Sequence, residues 1–285
     1  MDAERRRTKD GFLYGRINND MRTAMNALIS ETPVKKRGSA QGDLGAYALE
    51  SKYEFLRVLR TPAFAAPTLL FPPLFYLLFG ILLNRGSSGA AHYLFATYSV
   101  FGVMAPSLFG FGVGVAIERE RGWLALKRVA PMPPGAYLLS KMAMAMLFAV
   151  IIYCILCVMA YTLGGVRLAP EQWLSLGVIA ACGVMPFCAL GLMIGARANA
   201  NAAPAFVNLI YLPMAFLSGL WMPLTMLPKV VAQIAPLWPA YHLSQLALMV
   251  VGQVPSTGIG AHLLWLGGFT AVCFGVARRW LARGG

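Results

Sequence analysis

The amino-acid sequence predicts an all-α membrane protein: six transmembrane helices, an N-terminal amphipathic interfacial helix, and a re-entrant helical hairpin before the last span. Three observations predict it. Hydrophobic residues make up 58% of the 285 positions and charged residues 12%, half the charged share of an ordinary soluble domain. The apolar residues run in repeated stretches of about twenty, the length a helix needs to cross a hydrocarbon core of about 30 Å. The basic residues behind the net charge of +13 flank those stretches and do not gather in a separate soluble domain. That placement follows the positive-inside rule and argues against nucleic-acid binding.

The polar stretch 1–43 carries Arg5-Arg6-Arg7 and Lys35-Lys36-Arg37 without an apolar signal core, and reads as a basic cytoplasmic tail. Over 44–60, Leu44, Tyr47, Ala48, Ser51, Phe55, Val58 and Leu59 fall on one helical stripe. Glu50, Glu54, Arg57 and Arg60 lie opposite or at its margins. This is the pattern of a helix lying in the membrane interface, and Pro62 ends it because the residue before proline avoids helical geometry.

The membrane domain, 61–280, follows with spans at 63–83, 92–117, 136–163, 172–196, 203–221 and 260–277. Between the last two, Pro223, Pro228, Pro236 and Pro239 cut the apolar stretch 222–254 into pieces too short to cross, which suits a re-entrant region. Twelve Lys and Arg lie in the first sixty residues. Five lie from the end of span two through Lys141, one after span four and three at the C-terminus, against Arg85, Arg167 and Lys229 on the other side. The count places both termini in the cytoplasm.

The six span interiors are read as free of Asp, Glu, Lys and Arg, which disfavours an ion-coupled carrier or a charged selectivity filter. His92, His242 and His262 sit near span ends or in the re-entrant region without a carboxylate close in sequence, and read as interfacial polar residues. Cys154 and Cys157 form a CxxC inside an apolar helix, with no second pair and no nearby His, so no metal site is expected. Gly110, Gly112 and Gly114, and the pair Gly191 and Gly195, allow close helix approach, first of all within the chain. Asn208 is the polar side chain expected buried in span five, for a helix–helix hydrogen bond or a place on the pathway. No G-x-x-x-x-G-K-[ST] loop occurs, so the chain itself is expected to bind neither ATP nor another cofactor.

Two segments resemble a known family. The loop 118–135 begins Glu118-Arg119-Glu120-Arg121-Gly122-Trp123 and continues through Leu126, Arg128 and Pro131. It resembles the E-x-E-x-G-x-L element of the ABC type-2 permeases, the membrane subunits of ABC exporters, with Trp123 where Thr is frequent and Ala125 where Glu is. Ser218-Gly219-Leu220-Trp221-Met222-Pro223, with Leu227-Pro228 and Pro236-Leu237-Trp238-Pro239, is similar to that family's S-G-x-x-x-P element after span five. The resemblance implies an exporting permease of the inner membrane, and the uncharged span interiors favour a hydrophobic or amphipathic substrate of drug, lipid or glycan type. It also implies a partner ATPase carrying ATP and Mg²⁺, and a second permease copy or paralogue. Glu118, Arg119, Glu120, Arg121, Gly122, Trp123, Leu126 and Arg128 would then contact the ATPase, with the two glutamates at the start of a cytoplasmic helix. Two other classes remain open: a transporter or channel working without ATP, and a lipid-modifying membrane enzyme. Only the first reading requires a co-purifying ATPase.

Overall fold

The computed structural model describes residues 40–84, 88–123 and 135–283. The chain divides into a unit 1–43 and a unit 44–285, and the fold that follows is that of the second. Leu126 and Arg128 lie outside the described residues, as does most of the basic tail.

The described residues form helices joined by turns, with no strand among them. In chain order they are α1 (Ala40–Leu59), α2 (Pro62–Phe75) running into a π-helical segment (Tyr76–Leu82), α3 (Ser88–Glu120), α4 (Ala136–Thr162), α5 (Pro170–Cys182), α6 (Val184–Gly195), α7 (Ala203–Leu217), the short α8 (Lys229–Ile234), α9 (Pro239–Val250) and α10 (Ile259–Arg283). Among the described residues, five continuous stretches are long and apolar enough to cross a membrane: Pro62–Leu82, Gly89–Glu120, Ala136–Thr162, Pro170–Gly195 and Ile259–Leu281. The fifth expected span differs. α7 has 15 residues, about 22 Å of helix at the usual rise.

α3 is the axis of the bundle. It is apolar around its circumference, as a helix enclosed by others must be, and α2, α4, α6, α7 and α9 pack on it. Phe95, Tyr98, Phe101, Met104, Leu108 and Phe111 line its core with almost no exposure. Its closest neighbour is α6. A Cβ on Gly195 would stand 2.8 Å from the carbonyl oxygens of Phe111 and Gly112, and one on Gly191 would stand 2.9 Å from that of Leu108. The glycines are needed because backbone faces backbone at this crossing. The small residues thus serve a contact inside the chain.

Prolines shape the other spans. Pro186 cannot donate, and its ring crowds the carbonyl of residue 182; the span 170–195 accordingly breaks at Gly183 into α5 and α6. Pro67, Pro72 and Pro73 interrupt the ladder of α2, which passes into the wider π-helical winding before it ends. In the Pro-rich stretch, Pro228 and Pro239 start the helices α8 and α9, while Pro223 precedes a single helical turn. α9 runs antiparallel to α5. The Gln172 amide donates to the Val250 carbonyl at 2.6 Å, and eleven positions along α5 the Leu243 side chain fills the space that a Cβ on Gly183 would occupy. The N-terminus of α9 therefore lies beside the middle of the α5–α6 stretch.

α1 departs from its predicted amphipathic pattern. Phe55 and Val58 pack against Ala65, Met144 and Phe148, with the Phe55 and Phe148 rings 5.3 Å apart. Glu54, placed by periodicity on the polar face, is buried beside them, whereas Ala48, Leu49, Tyr53 and Leu59 face outward. The helix carries its carboxylate inward because a cation waits there.

Candidate functional site

That cation is Lys141, in the second turn of α4. Its side chain is 1% exposed, and it carries a charge that the sequence reading did not place inside a span. Lys141 Nζ donates to Glu54 Oε1 at 2.7 Å and to Glu118 Oε1 at 3.0 Å. Arg57, one turn after Glu54 on α1, reaches both carboxylates at 2.7 Å. Two carboxylates and two cations from three helices thus form a neutral cluster, and three of the four side chains are shielded from solvent. Charges are buried at such cost only when paired and hydrogen-bonded. The Tyr137 ring lies 5.3 Å from Lys141 Nζ, and its hydroxyl is beside Glu118. Gly114, one turn before Glu118, leaves room for the ammonium: a Cβ there would be 3.3 Å from Nζ. Burial alone would lower the Arg57 pKa, but the adjacent Glu54 and Glu118 outweigh it and hold the guanidinium above its ordinary value.

The placement of Glu118 corrects the expectation that it opens a cytoplasmic helix. It sits in the last turn of α3, the negative end of the helix dipole, where a carboxylate is disfavoured. Lys141 and Arg57 compensate for that, so Glu118 is bound within the chain and is not presented on a surface.

The neighbouring loop residues divide between internal and external roles. Arg119 donates to the Ala196 carbonyl and, at 2.8 Å, to the Ala198 carbonyl, just beyond the C-terminus of α6, where a cation is favoured. The Glu120 carboxylate accepts the Ala200 N–H at 2.6 Å while remaining exposed. These two residues therefore grip the connection between α6 and α7. The turn after α3 is made at Gly122, whose φ of +73° is the left-handed conformation glycine adopts without penalty. On either side of this glycine Arg121 and Trp123 are exposed, with the guanidinium 5.3 Å from the indole ring.

At the other end of α3, the second motif closes α7. Ser218 is buried, and Gly219, at φ +75°, turns its carbonyl to accept the Tyr93 hydroxyl at 2.8 Å. Pro236 accepts from His242 Nε2 at 2.8 Å, Pro239 is buried at the start of α9, and Leu227 with Pro228 leads into α8. Asn208 is exposed on the surface of this chain, contrary to the expectation of a buried helix–helix contact. It lines a groove of about 480 Å³ between α2, α3 and α7, with Phe64, Phe71, Phe101, Tyr211 and Trp221 among its walls.

Pairing between Glu54 and Lys141, 87 positions apart, was not legible in sequence. The available signal was that both sit among apolar residues, where an unpaired charge would be untenable.

The model of the ABC-2 type transporter family matches residues 47–251, spanning α1, the charge cluster, the loop and the Pro-rich stretch. A protein of Bacillus subtilis (strain 168) that carries the name transport permease YvfS is 30% identical over 197 residues, covering 68% of this chain and 80% of its own length.

Proposed function

Given that this chain belongs to the ABC-2 type transporter family, we propose that it is the permease half of an ATP-driven exporter, working with a separate ATPase and a second permease. The observation that carries the reading is the Glu54–Arg57–Glu118–Lys141 cluster. It welds α1 to the root of the loop that follows α3, and Arg119 and Glu120 weld the same root to the α6–α7 connection. A partner pressing on the exposed Arg121–Trp123 turn would move α1, α3, α4 and α6 together. Rigid elements linked by paired charges transmit such a push, whereas a loose loop would absorb it.

In this reading the loop and both termini face the cytoplasm, as the basic residues suggest. α1 lies in the inner-membrane interface with Leu49 and Tyr53 toward lipid. α7 and the turn through Trp221 complete a sixth span, and the descent to α9 beside Gly183 makes 222–254 re-entrant. The groove at Asn208 would be completed by the second permease. Its aromatic walls and single amide suit a hydrophobic or amphipathic substrate with one polar anchor point.

The test is co-expression with the candidate ATPase and measurement of complex recovery and ATP hydrolysis in lipid nanodiscs. Trp123→Ala, which removes an exposed anchor, should lower recovery of the complex by about tenfold or more. Full recovery and unchanged hydrolysis would remove the loop from the coupling role.

A further inference from the structure

His242 in α9 and His262 in the first turn of α10 present their Nδ1 atoms to each other at 2.8 Å. His242 is almost fully buried and stacks on Trp265 of α10, ring centres 4.3 Å apart. Its Nε2 lies 2.8 Å from the Pro236 carbonyl oxygen. A carbonyl only accepts, so Nε2 carries the proton and Nδ1 of the neutral His242 ring is a bare lone pair. The Nδ1–H of His262 is then the donor in the contact between the rings. The neutral pair has one self-consistent arrangement of protons.

Protonation changes this in two steps. A first proton enters at His262 Nε2 and keeps the bond, now donated by a cation. A second has only His242 Nδ1 to occupy, and two N–H groups of like charge then face each other at a distance that held one hydrogen. We propose that the His242–His262 contact is an acid-released latch that holds the α9 hairpin against the last span. Among the described residues of the elements packed on α9, His92 and Tyr93 of α3 and Glu171 of α5 lie toward its other end, where Gln172 meets Val250 and Trp173 meets Phe95. Tyr241 stands 5.4 Å from His242 and 6.2 Å from His262, ring to ring. The charge that acts on His242 is that of His262, with no carboxylate contributing.

The direction of the effect follows. With Nε2–H committed to Pro236, a second proton can enter only at Nδ1, against the charged His262 ring, so the latched pair takes it up less readily than two separated rings do. The folded state therefore binds fewer protons than the unfolded one below the ordinary histidine value, and the stability of the latched form is lost as pH falls through that range.

The experiment is hydrogen–deuterium exchange of the full chain in nanodiscs at about pH 7.5 and about pH 5, on either side of the ordinary histidine value, corrected for intrinsic exchange. For wild type, amides of 239–250 should open more in acid, by up to about tenfold for each pH unit below the ordinary histidine value until the latched pair itself takes the second proton. His262→Gln, which donates through its amide but takes up no proton, should flatten that dependence. His262→Phe, which keeps the packing without a donor, should open at both pH values. Equal protection of wild type at the two pH values, or an unchanged pH response in His262→Gln, overturns the latch. Protection at neutral pH that requires Zn²⁺ and disappears with a chelator overturns it too, in favour of a metal site.

Discussion

Lys141 and Glu54 meet at 2.7 Å across 87 positions of sequence, and neither side chain is more than 5% exposed. The contact joins the helix before the first membrane span to the base of α4, and Lys141 and Arg57 tie Glu118 to the same point.

Removing Lys141 leaves two shielded carboxylates with Arg57 as their only cation in the cluster. Lys141→Met should therefore destabilise the protein by about 3–5 kcal/mol, the usual cost of breaking a buried pair from one side. The double variant Glu54→Gln/Lys141→Met restores neutrality with Glu118 and Arg57 and should recover part of the loss. Thermal unfolding in nanodiscs of the two single variants and the double gives the interaction energy, expected to exceed about 1 kcal/mol. Strict additivity would mean that the pair is not coupled.

Charge reversal separates Glu118 from its loop neighbours. Glu118→Lys would put three cations around Glu54, so the variant should fail at folding, with a sharply reduced monodisperse yield on size exclusion. Glu118→Gln keeps a hydrogen-bond acceptor and should be milder. Trp123→Ala, on the exposed side of the Gly122 turn, should give normal yield. A normally folded Glu118→Lys protein would place that side chain at the surface after all.

The crossing of α3 and α6 makes a sharper case. Gly195→Ala gains helix propensity, but its Cβ would press on two backbone carbonyls at 2.8 Å, which cannot swing aside as a side chain can. The clash should dominate, at about 1–3 kcal/mol. Gly267→Ala, in α10 with open space around the position, should match or exceed wild type in the same melting assay.

Topology is tested by accessibility. Cysteines placed at Gly89 and Arg167 should react with an impermeant maleimide added outside intact cells, and one at Trp123 should react only after permeabilisation. Labelling of all three from the same side would refute the orientation drawn from the basic residues.

Much of this was legible along the chain because it depends on local chemistry. Runs of apolar residues require helices wherever water is absent, since backbone groups have no other partner. Prolines mark where helices begin or end, as at Pro62 and Pro239, whereas the break before Pro186 in the span read as 172–196 came from the structure. Pro223 and Gly219, and separately Gly122, belong to motifs whose turns depend on residue type, and the family resemblance rests on those motifs. What the tertiary structure decided was which charges and rings meet. Periodicity put Glu54 on the outer face of α1, but Lys141, brought alongside by the packing of Phe55 on Phe148, made the inner face the favourable one. Glu118 was read as a surface carboxylate because the end of α3 could not be told from the start of the loop. Asn208 was read as buried because an amide in an apolar run suggests a helix partner, and the chain folds with that face open. His242 and His262, read as interfacial polar residues, are partners. Each outcome depends on atoms distant in sequence, and for Glu54 and Glu118 electrostatic pairing after folding outweighs the preference of the single segment.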